Sequence, residues 1–195
     1  MSDFPPESPA AVPPPTTVPE LTIVDLEGDQ REQAVPVIKD GFVGIYRWHA
    51  KKTLRAAKWV RAISLRNEVM AVSVLENLAP GVGYVYYLST SLIHRREGLG
   101  RRLLDDALAL FRRERLEVVY AAAEEDNLPS LSLFQSRGFR PVERKELSYR
   151  EGGLGAWGLR SRMTLVGGEV LLGLRISAPA VRPLDGATPP VRSPG

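Results

Sequence analysis

Between Trp59 and Arg115 the hydrophobic period of this chain changes once, and that change restricts the fold more than any other feature. WVRAISLRN, EVMAVSVLENLA and VGYVYYLSTS are rich in β-branched and aromatic residues, with Arg66-Asn67 and Pro80-Gly81 as turn material between them. Such runs predict an antiparallel meander of three strands. From Leu99 onward the apolar residues Leu103, Leu104, Ala107, Leu108, Leu110 and Phe111 follow helical spacing, which predicts one amphipathic helix to about Arg115. On its wetter side Asp105 and Asp106 follow Arg101 and Arg102 by four residues, the spacing of intrahelical ion pairs. The switch from strand to helix falls in HRREGLG, residues His94 to Gly100.

The flanking segments extend the pattern. LTIVDL (Leu21 to Leu26) reads as a first strand, and REQAVPVIKDGFVGIYRWHAKKTLRAA as one or two helices interrupted near Pro36 or Gly41. Trp48 on that helical stretch is expected in the core. LEVVYAAAE reads as a strand, PSLSLFQSRGF as a short helix ended by Gly138, and PVERKELSYR as another strand. RMTLV and EVLLGLRI read as a terminal hairpin. Residues 1–20 and 177–195 concentrate proline with small polar residues, a composition that resists helix and ladder alike, so both are expected to be disordered Pro-rich arms around one α/β domain spanning 21–176.

Composition narrows the function. Of 195 residues 44% are hydrophobic, enough for a core, and none is cysteine. Disulfides, cysteine-ligated metals and thiol nucleophiles are therefore excluded, and with His49 and His94 as the sole histidines no metal site is expected. The N-terminus lacks the order of a secretion signal and no apolar run approaches the roughly 18 residues of a membrane span, so a cytoplasmic protein without a membrane partner is expected. A net charge of +3 does not by itself demand nucleic acid.

The arginines and glycines of HRREGLG point to phosphate. Successive N–H groups where a strand hands over to a helix can curl around an anion at the helix's positive end. Gly98 and Gly100 allow close approach of the backbone, and Arg95, Arg96, Arg101 and Arg102 add charge suited to phosphate oxygens. The stretch has neither the Gly-Lys-Ser/Thr of a nucleotide P-loop nor the GxGxxG of a dinucleotide fold.

The order strand, R-x-x-G-x-G (Arg95, Gly98, Gly100), amphipathic helix, strand, then N-x-x-S-x-x-L-F-x-x-x-G-F from Asn127 to Phe139 resembles the GCN5-related N-acetyltransferase (GNAT) family. The resemblance is strongest over residues 68–140. It implies a mixed, mostly antiparallel, strongly bent sheet flanked by helices, with a splayed strand pair holding acetyl-coenzyme A (acetyl-CoA). It further implies that the backbone of Leu88, Ser89 and Thr90 pairs with the pantetheine arm. The N–H groups of Arg96, Glu97, Gly98, Leu99, Gly100 and Arg101 would hold the pyrophosphate, Asn127 would meet the pantetheine, and the helix bearing Leu133 and Phe134 would lie along the thioester. Homodimers, with an exchanged strand from the irregular segment after Glu151, are compatible with it.

The implied reaction is direct attack of a primary amine on the acetyl thioester in a ternary complex. The acceptor, a small molecule or a protein or peptide amine, must lose a proton at a pKa near 10, so a base is useful. Glu76, near the end of a central strand, is preferred over Glu124. A backbone N–H from Thr90 to Leu92 would stabilise the oxyanion. Family members commonly carry a tyrosine where this chain has Phe134, so the general acid falls to another hydroxyl: Tyr87, Tyr120 or Ser132. Strand alternation puts Tyr87 on the face opposite Tyr84 and Tyr86. A catalytically silent acyl-CoA-binding regulatory module keeps the phosphate motif and tolerates Phe134. A nucleic-acid-binding module is disfavoured, because the glycine spacing suits a compact phosphate better than a duplex.

Overall fold

A computed structural model describes residues 21–41, 44–143, 145–147, 158–163, 165 and 168–176. The two Pro-rich segments and residues 148–157 lie outside this set. Seven strands form one sheet in the order β1-β2-β3-β4-β5-β7-β6, from β1 (Thr22–Asp25), β2 (Trp59–Leu65), β3 (Glu68–Ala79), β4 (Val82–Thr90), β5 (Val118–Glu124), β6 (Arg140–Pro141) and β7 (Glu169–Arg175). Every neighbouring pair is antiparallel except β4 with β5. Arg66 and Asn67 both take positive φ, 49° and 68°, as a two-residue hairpin turn requires, and Gly81 at 77° turns β3 into β4.

Helices cover both faces. A 3₁₀ turn at Gly28–Ala34 leads into α1 (Val35–Gly41), followed by α2 (Gly44–Ala56). Val37, Ile38, Ala50 and Leu54 from these helices pack on Val60, Ala62, Val72 and Val74. The opposite face is covered by α3 (Leu99–Arg113) and α4 (Leu128–Gln135). Leu104, Ala107 and Phe111 of α3 pack on Leu75, Val85, Val119 and Ala121, while Leu99 and Leu103 pack on Ile63 and Ala71. Beyond β6 the chain returns to the α2 face, where Leu147, Leu159 and Met163 bury Leu78, Tyr84 and Tyr120.

Two irregularities in β4 shape the site. Val74 pairs with Tyr87 but Leu75 pairs with Val85, so Tyr86 is an extra residue, a β-bulge. The bulge cancels the alternation expected for the tyrosines. Tyr84 and Tyr86 meet edge to face at 4.8 Å, Tyr86 and Tyr87 stack at 6.2 Å, and all three lie on the face covered by α2. Pairing of β4 with β5 runs only from Val82–Val118 to Val85–Ala121. Past Val85 the two strands part.

Several expectations are corrected. After Pro141 the chain does not continue as a strand, since residues 145–147 are helical, and residues 162–163 of the expected RMTLV strand are helical too. The terminal hairpin is replaced by β7 inserted between β5 and β6. Asp105 and Asp106 do not pair within α3: Arg137 takes Asp105, and Arg61 takes Asp106 at 2.8 and 3.0 Å. Trp48 is 63% exposed, with Lys52 Nζ 5.6 Å from its ring centroid.

Close packing of α1 on β4 gives a testable consequence. A Cβ on Gly41 would sit 2.1 Å from Ser89 Oγ, whose buried hydroxyl donates to Val37 O at 3.0 Å. Gly41→Ala must displace that hydroxyl and strand a buried polar group, so we expect a loss of about 2 kcal/mol in urea unfolding. Combining it with Ser89→Ala should recover most of the loss.

Candidate functional site

The parting of β4 from β5 leaves the outer edge of residues 86–90 without a strand partner among the described residues, and this edge forms one wall of a cleft. Side chains there divide by register. Leu88 joins the clusters beneath α3, whereas Ser89 points to α1 and bonds Val37 O. Only the main chain of Ser89 is therefore left to a ligand in the cleft.

The N-terminus of α3 closes one end. Arg96 and Gly98 both have left-handed backbones, φ 69° and 78°. Gly98 is the N-cap and offers no side-chain cap. The first helical N–H to find an acceptor is that of Arg102, on Gly98 O at 3.1 Å. Among the described residues, the N–H groups from Arg96 to Arg101 have no acceptor, although these residues stand at the positive end of a 15-residue helix. Charge reinforces them. Asp105 and Asp106 are occupied elsewhere, Glu97 faces His94 at 3.3 Å, and Arg95 reaches Asp40 O at 3.4 Å. Exposed Arg96 and Arg101 make no ion pair among the described residues.

Gly100 connects this end to the cleft. A Cβ there would stand 3.5 Å from Leu133 Cδ2 and 3.9 Å from Thr90 Oγ1, between α4 and β4. N–H groups without acceptors among the described residues, beside a glycine that sets no side chain between α4 and the parted edge of β4, suit a diphosphate carrying a long, thin, amide-bearing arm. That is the form of coenzyme A.

On α4, Asn127 acts as N-cap, its Oδ1 accepting from Ser130 N at 3.2 Å, with Pro129 in the first turn. Its amide nitrogen makes no hydrogen bond among the described residues and stays available to a ligand. Phe134 is 4% exposed and meets Phe139 edge to face at 5.1 Å, in the cluster that holds Val85 and Ala121. Its ring is thus core, contributing shape and no proton. Of the other hydroxyls considered, Tyr120 is fully buried in the cluster with Leu147, Leu159 and Met163, and Ser132 is exposed on α4.

The α2 side of the bulge holds an open hollow of about 180 Å³, lined by His49, Lys52, Thr53, Ala56, Ala57, Glu76 and Tyr86. Glu76 is fixed there by two main-chain donors, Lys58 N at 3.1 Å to Oε2 and Asn77 N at 2.9 Å to Oε1. Tyr86 donates to Arg162 O, and burial, with Glu76 nearby, pushes its hydroxyl above the usual phenol pKa. Tyr87 Oη lies 2.6 Å from His49 Nδ1, and Thr53 Oγ1 lies 3.3 Å from the same nitrogen. Burial first, and the Lys52 charge second, hold the His49 pKa below its ordinary 6.5.

The structure thus divides the sequence-derived residues into two groups. Arg95 to Arg101, Asn127 and the β4 edge gather around the cleft, while Glu76 and Tyr87 lie on the α2 side. Glu124 is exposed and opposite Glu169 of β7. Two of the expected oxyanion donors are occupied, Ser91 N by Met70 O at 2.8 Å and Leu92 N by Asp40 Oδ2 at 3.3 Å. The resemblance places His49 on the helix where the family shapes its acceptor pocket, but its contact with Tyr87 depends on a bulge that no local pattern announces.

Comparison with known proteins agrees with this fold. A model of the Acetyltransferase (GNAT) family matches residues 24–139. No curated protein matches the chain. Among solved structures it is similar to the ribosomal-protein-S18-alanine N-acetyltransferase from Escherichia coli, at 14% identity over 81% of this chain and 95% of that one, TM-score 0.61. A Bacillus subtilis acetyltransferase in complex with CoA is 16% identical over 81% and 100%, TM-score 0.59. A GNAT-family acetyltransferase from Staphylococcus aureus Mu50 is 10% identical over 81% and 100%, TM-score 0.65.

Proposed function

The chain belongs to the Acetyltransferase (GNAT) family, and from that premise we propose that it moves the acetyl group of acetyl-CoA to a primary amine, both bound in one ternary complex. The observation that carries this reading is the row of N–H groups from Arg96 to Arg101, which have no acceptor among the described residues, beside Arg96 and Arg101, which make no ion pair among them. They would hold the diphosphate, with Asn127 Nδ2 and the open edge at Leu88–Thr90 receiving the amides of the arm. Bound there, acetyl-CoA supplies an activated thioester.

The chain's own residues prepare the acceptor. Glu76, held at the hollow by Lys58 and Asn77 N–H groups, places negative charge where an ammonium can enter. Tyr86 and His49 bound the same hollow, and Tyr87 reaches it through His49. Phe134 leaves the position of the usual tyrosine without a proton, an observation that also favours a second reading, a silent acyl-CoA-binding module.

Calorimetry with coenzyme A, followed by acetyl transfer to a panel of n-alkylamines, amino acids and short peptides, tests both. Arg96→Glu with Arg101→Glu is expected to weaken coenzyme A binding by about 100-fold at modest ionic strength, and salt should reduce the difference. Absence of any heat from coenzyme A overturns the proposal. Heat without turnover on the whole panel selects the silent module.

A further inference from the structure

On the acetyl-transfer reading, on which this inference rests, the hollow beside Tyr86 receives the acceptor, and the charges on its wall say what that acceptor carries. We propose that the acceptor is an amine that also bears a carboxylate, its ammonium drawn to Glu76 and its carboxylate to Lys52.

The two side chains line one hollow of about 180 Å³, yet neither makes an ion pair among the described residues, with the other or with a third group. Two unlike charges left open in one hollow are complementary to a molecule that carries both. Each is held by separate contacts. Glu76 takes one main-chain donor on each oxygen, from Lys58 N and Asn77 N, and a carboxylate has room for further donors. Lys52 Nζ lies 5.6 Å from the Trp48 ring centroid, within the range of a cation–π contact. Exposed Trp48 thereby gains a part in the site, as a shelf for the ammonium of Lys52.

The rest of the wall sets the sign. His49, Lys52, Thr53 and Ala56 recur at helical spacing, one stripe of α2 turned to the hollow. Burial first, and the Lys52 charge second, hold the His49 pKa below its ordinary value, so Lys52 is the cation that this stripe presents at neutral pH. Over its 13 residues α2 carries Arg47, Lys51, Lys52 and Arg55 and no acid, a field that attracts an anion and opposes a plain ammonium or a diamine. A simple amine satisfies Glu76 alone. An amino acid answers both charges. Tyr86 links the hollow to the cleft, because its side chain lines the hollow while its main chain is the first beyond Val85–Ala121, the last pair of β4 with β5.

The kinetic test pairs glycine, β-alanine and γ-aminobutyrate with their decarboxylated counterparts, methylamine, ethylamine and n-propylamine, and adds ethylenediamine, with acetyl-CoA and the full chain at one fixed pH. Each variant is compared with wild type on the same acceptor, so the acceptor's own pKa cancels. Lys52→Gln should raise KM for the best amino acid about fivefold, the worth of an exposed ion pair, and lower it for the matching amine. Opposite shifts on two acceptors exclude misfolding as their cause. Lys52→Glu should turn the preference toward ethylenediamine, and Lys52→Arg should keep the wild-type order. Lys51→Gln, which removes the same charge outside the hollow, should move the ratio of the two KM values by less than about twofold. Binding is followed separately by NMR of the His49 ring, assigned with His94→Gln, as each amino acid and its amine are titrated into the full chain with and without coenzyme A. At least one amino acid should move those signals at lower concentration than its amine, and Lys52→Gln should erase the difference. Equal response to every pair, no response to any, or a preference that survives Lys52→Gln overturns the proposal. Absence of turnover across the panel counts against the transfer reading instead, and the titration still decides what the hollow binds.

Discussion

Replacing Gly100 by leucine is expected to weaken coenzyme A binding by about 100-fold, roughly 2.7 kcal/mol, while leaving the fold at least as stable as before. Gly100 is the second residue of α3 and its φ is not positive, so a side chain meets no backbone penalty there. Leucine is the better helix former, by up to about 1 kcal/mol. What it changes is space: its Cβ would stand between Leu133 and Thr90, and its branched end would occupy the passage from the N–H cradle to the splayed edge of β4. Alanine adds only the Cβ, in ordinary contact distance of both neighbours, and should cost little affinity. Gly98 offers no such clean experiment. Nothing lies within 4 Å of a Cβ there, but its φ of 78° penalises any side chain by about 1–2 kcal/mol, mixing strain with ligand loss. Calorimetry beside thermal unfolding separates the cases. Wild-type affinity in Gly100→Leu would mean that the arm takes another path.

Local chemistry made much of this molecule legible in advance. The three meander strands, α3 and β5 form where their periodicity predicts, because each is long, strongly patterned and bounded by turn residues: Arg66-Asn67, Gly81 and the HRREGLG stretch. The turn from strand to helix at His94–Gly100 was readable for the same reason, since it is built from consecutive residues. What failed was whatever depends on residues distant in sequence. Alternation put Tyr87 opposite Tyr86, and a bulge set by the pairing of β3 with β4 put them together. Helical spacing predicted Arg101–Asp105 and Arg102–Asp106, but Arg137 and Arg61 reach the carboxylates from other elements with planar, two-pronged donors. Trp48 was assigned to the core by its size, yet it lies on the outer side of α2 beneath Lys52. PVERKELSYR read as a strand, yet residues 145–147 are helical with Leu147 packed against Tyr84 and Tyr120; past Glu151 the glycine-rich composition carries little period of either kind, and residues 158–163 are helical with Leu159 and Met163 in the same cluster.

The loss of the intrahelical pairs has a large energetic counterpart. Arg61→Met is expected to destabilise the protein by about 3 kcal/mol in urea unfolding, among the largest effects of any single polar substitution in this chain. Arg61 extends from β2 under α3, gives Asp106 two hydrogen bonds, and donates to Asp25 of β1 at 2.9 Å. Arg61 and Asp106 side chains are each only 15% exposed, so removing the guanidinium leaves a carboxylate with neither its partner nor enough water. The hydrogen bonds to Asp106, and then the neighbouring charges of Asp106 and Asp25, also raise the Arg61 pKa against the opposing effect of burial. The exposed pair Arg55–Glu32 is a built-in contrast, at 63% and 52% exposure, and its removal should leave the unfolding midpoint essentially unmoved. If desolvation is the reason for the cost at Arg61, Arg61→Met combined with Asp106→Leu should be more stable than Arg61→Met alone, because the stranded charge is gone. A double variant as unstable as the sum of its parts would assign the cost to packing of the arginine stem instead. In neither variant should the affinity of the folded protein for coenzyme A change, since Asp106 lies about two helical turns from the N–H groups of Leu99 to Arg101.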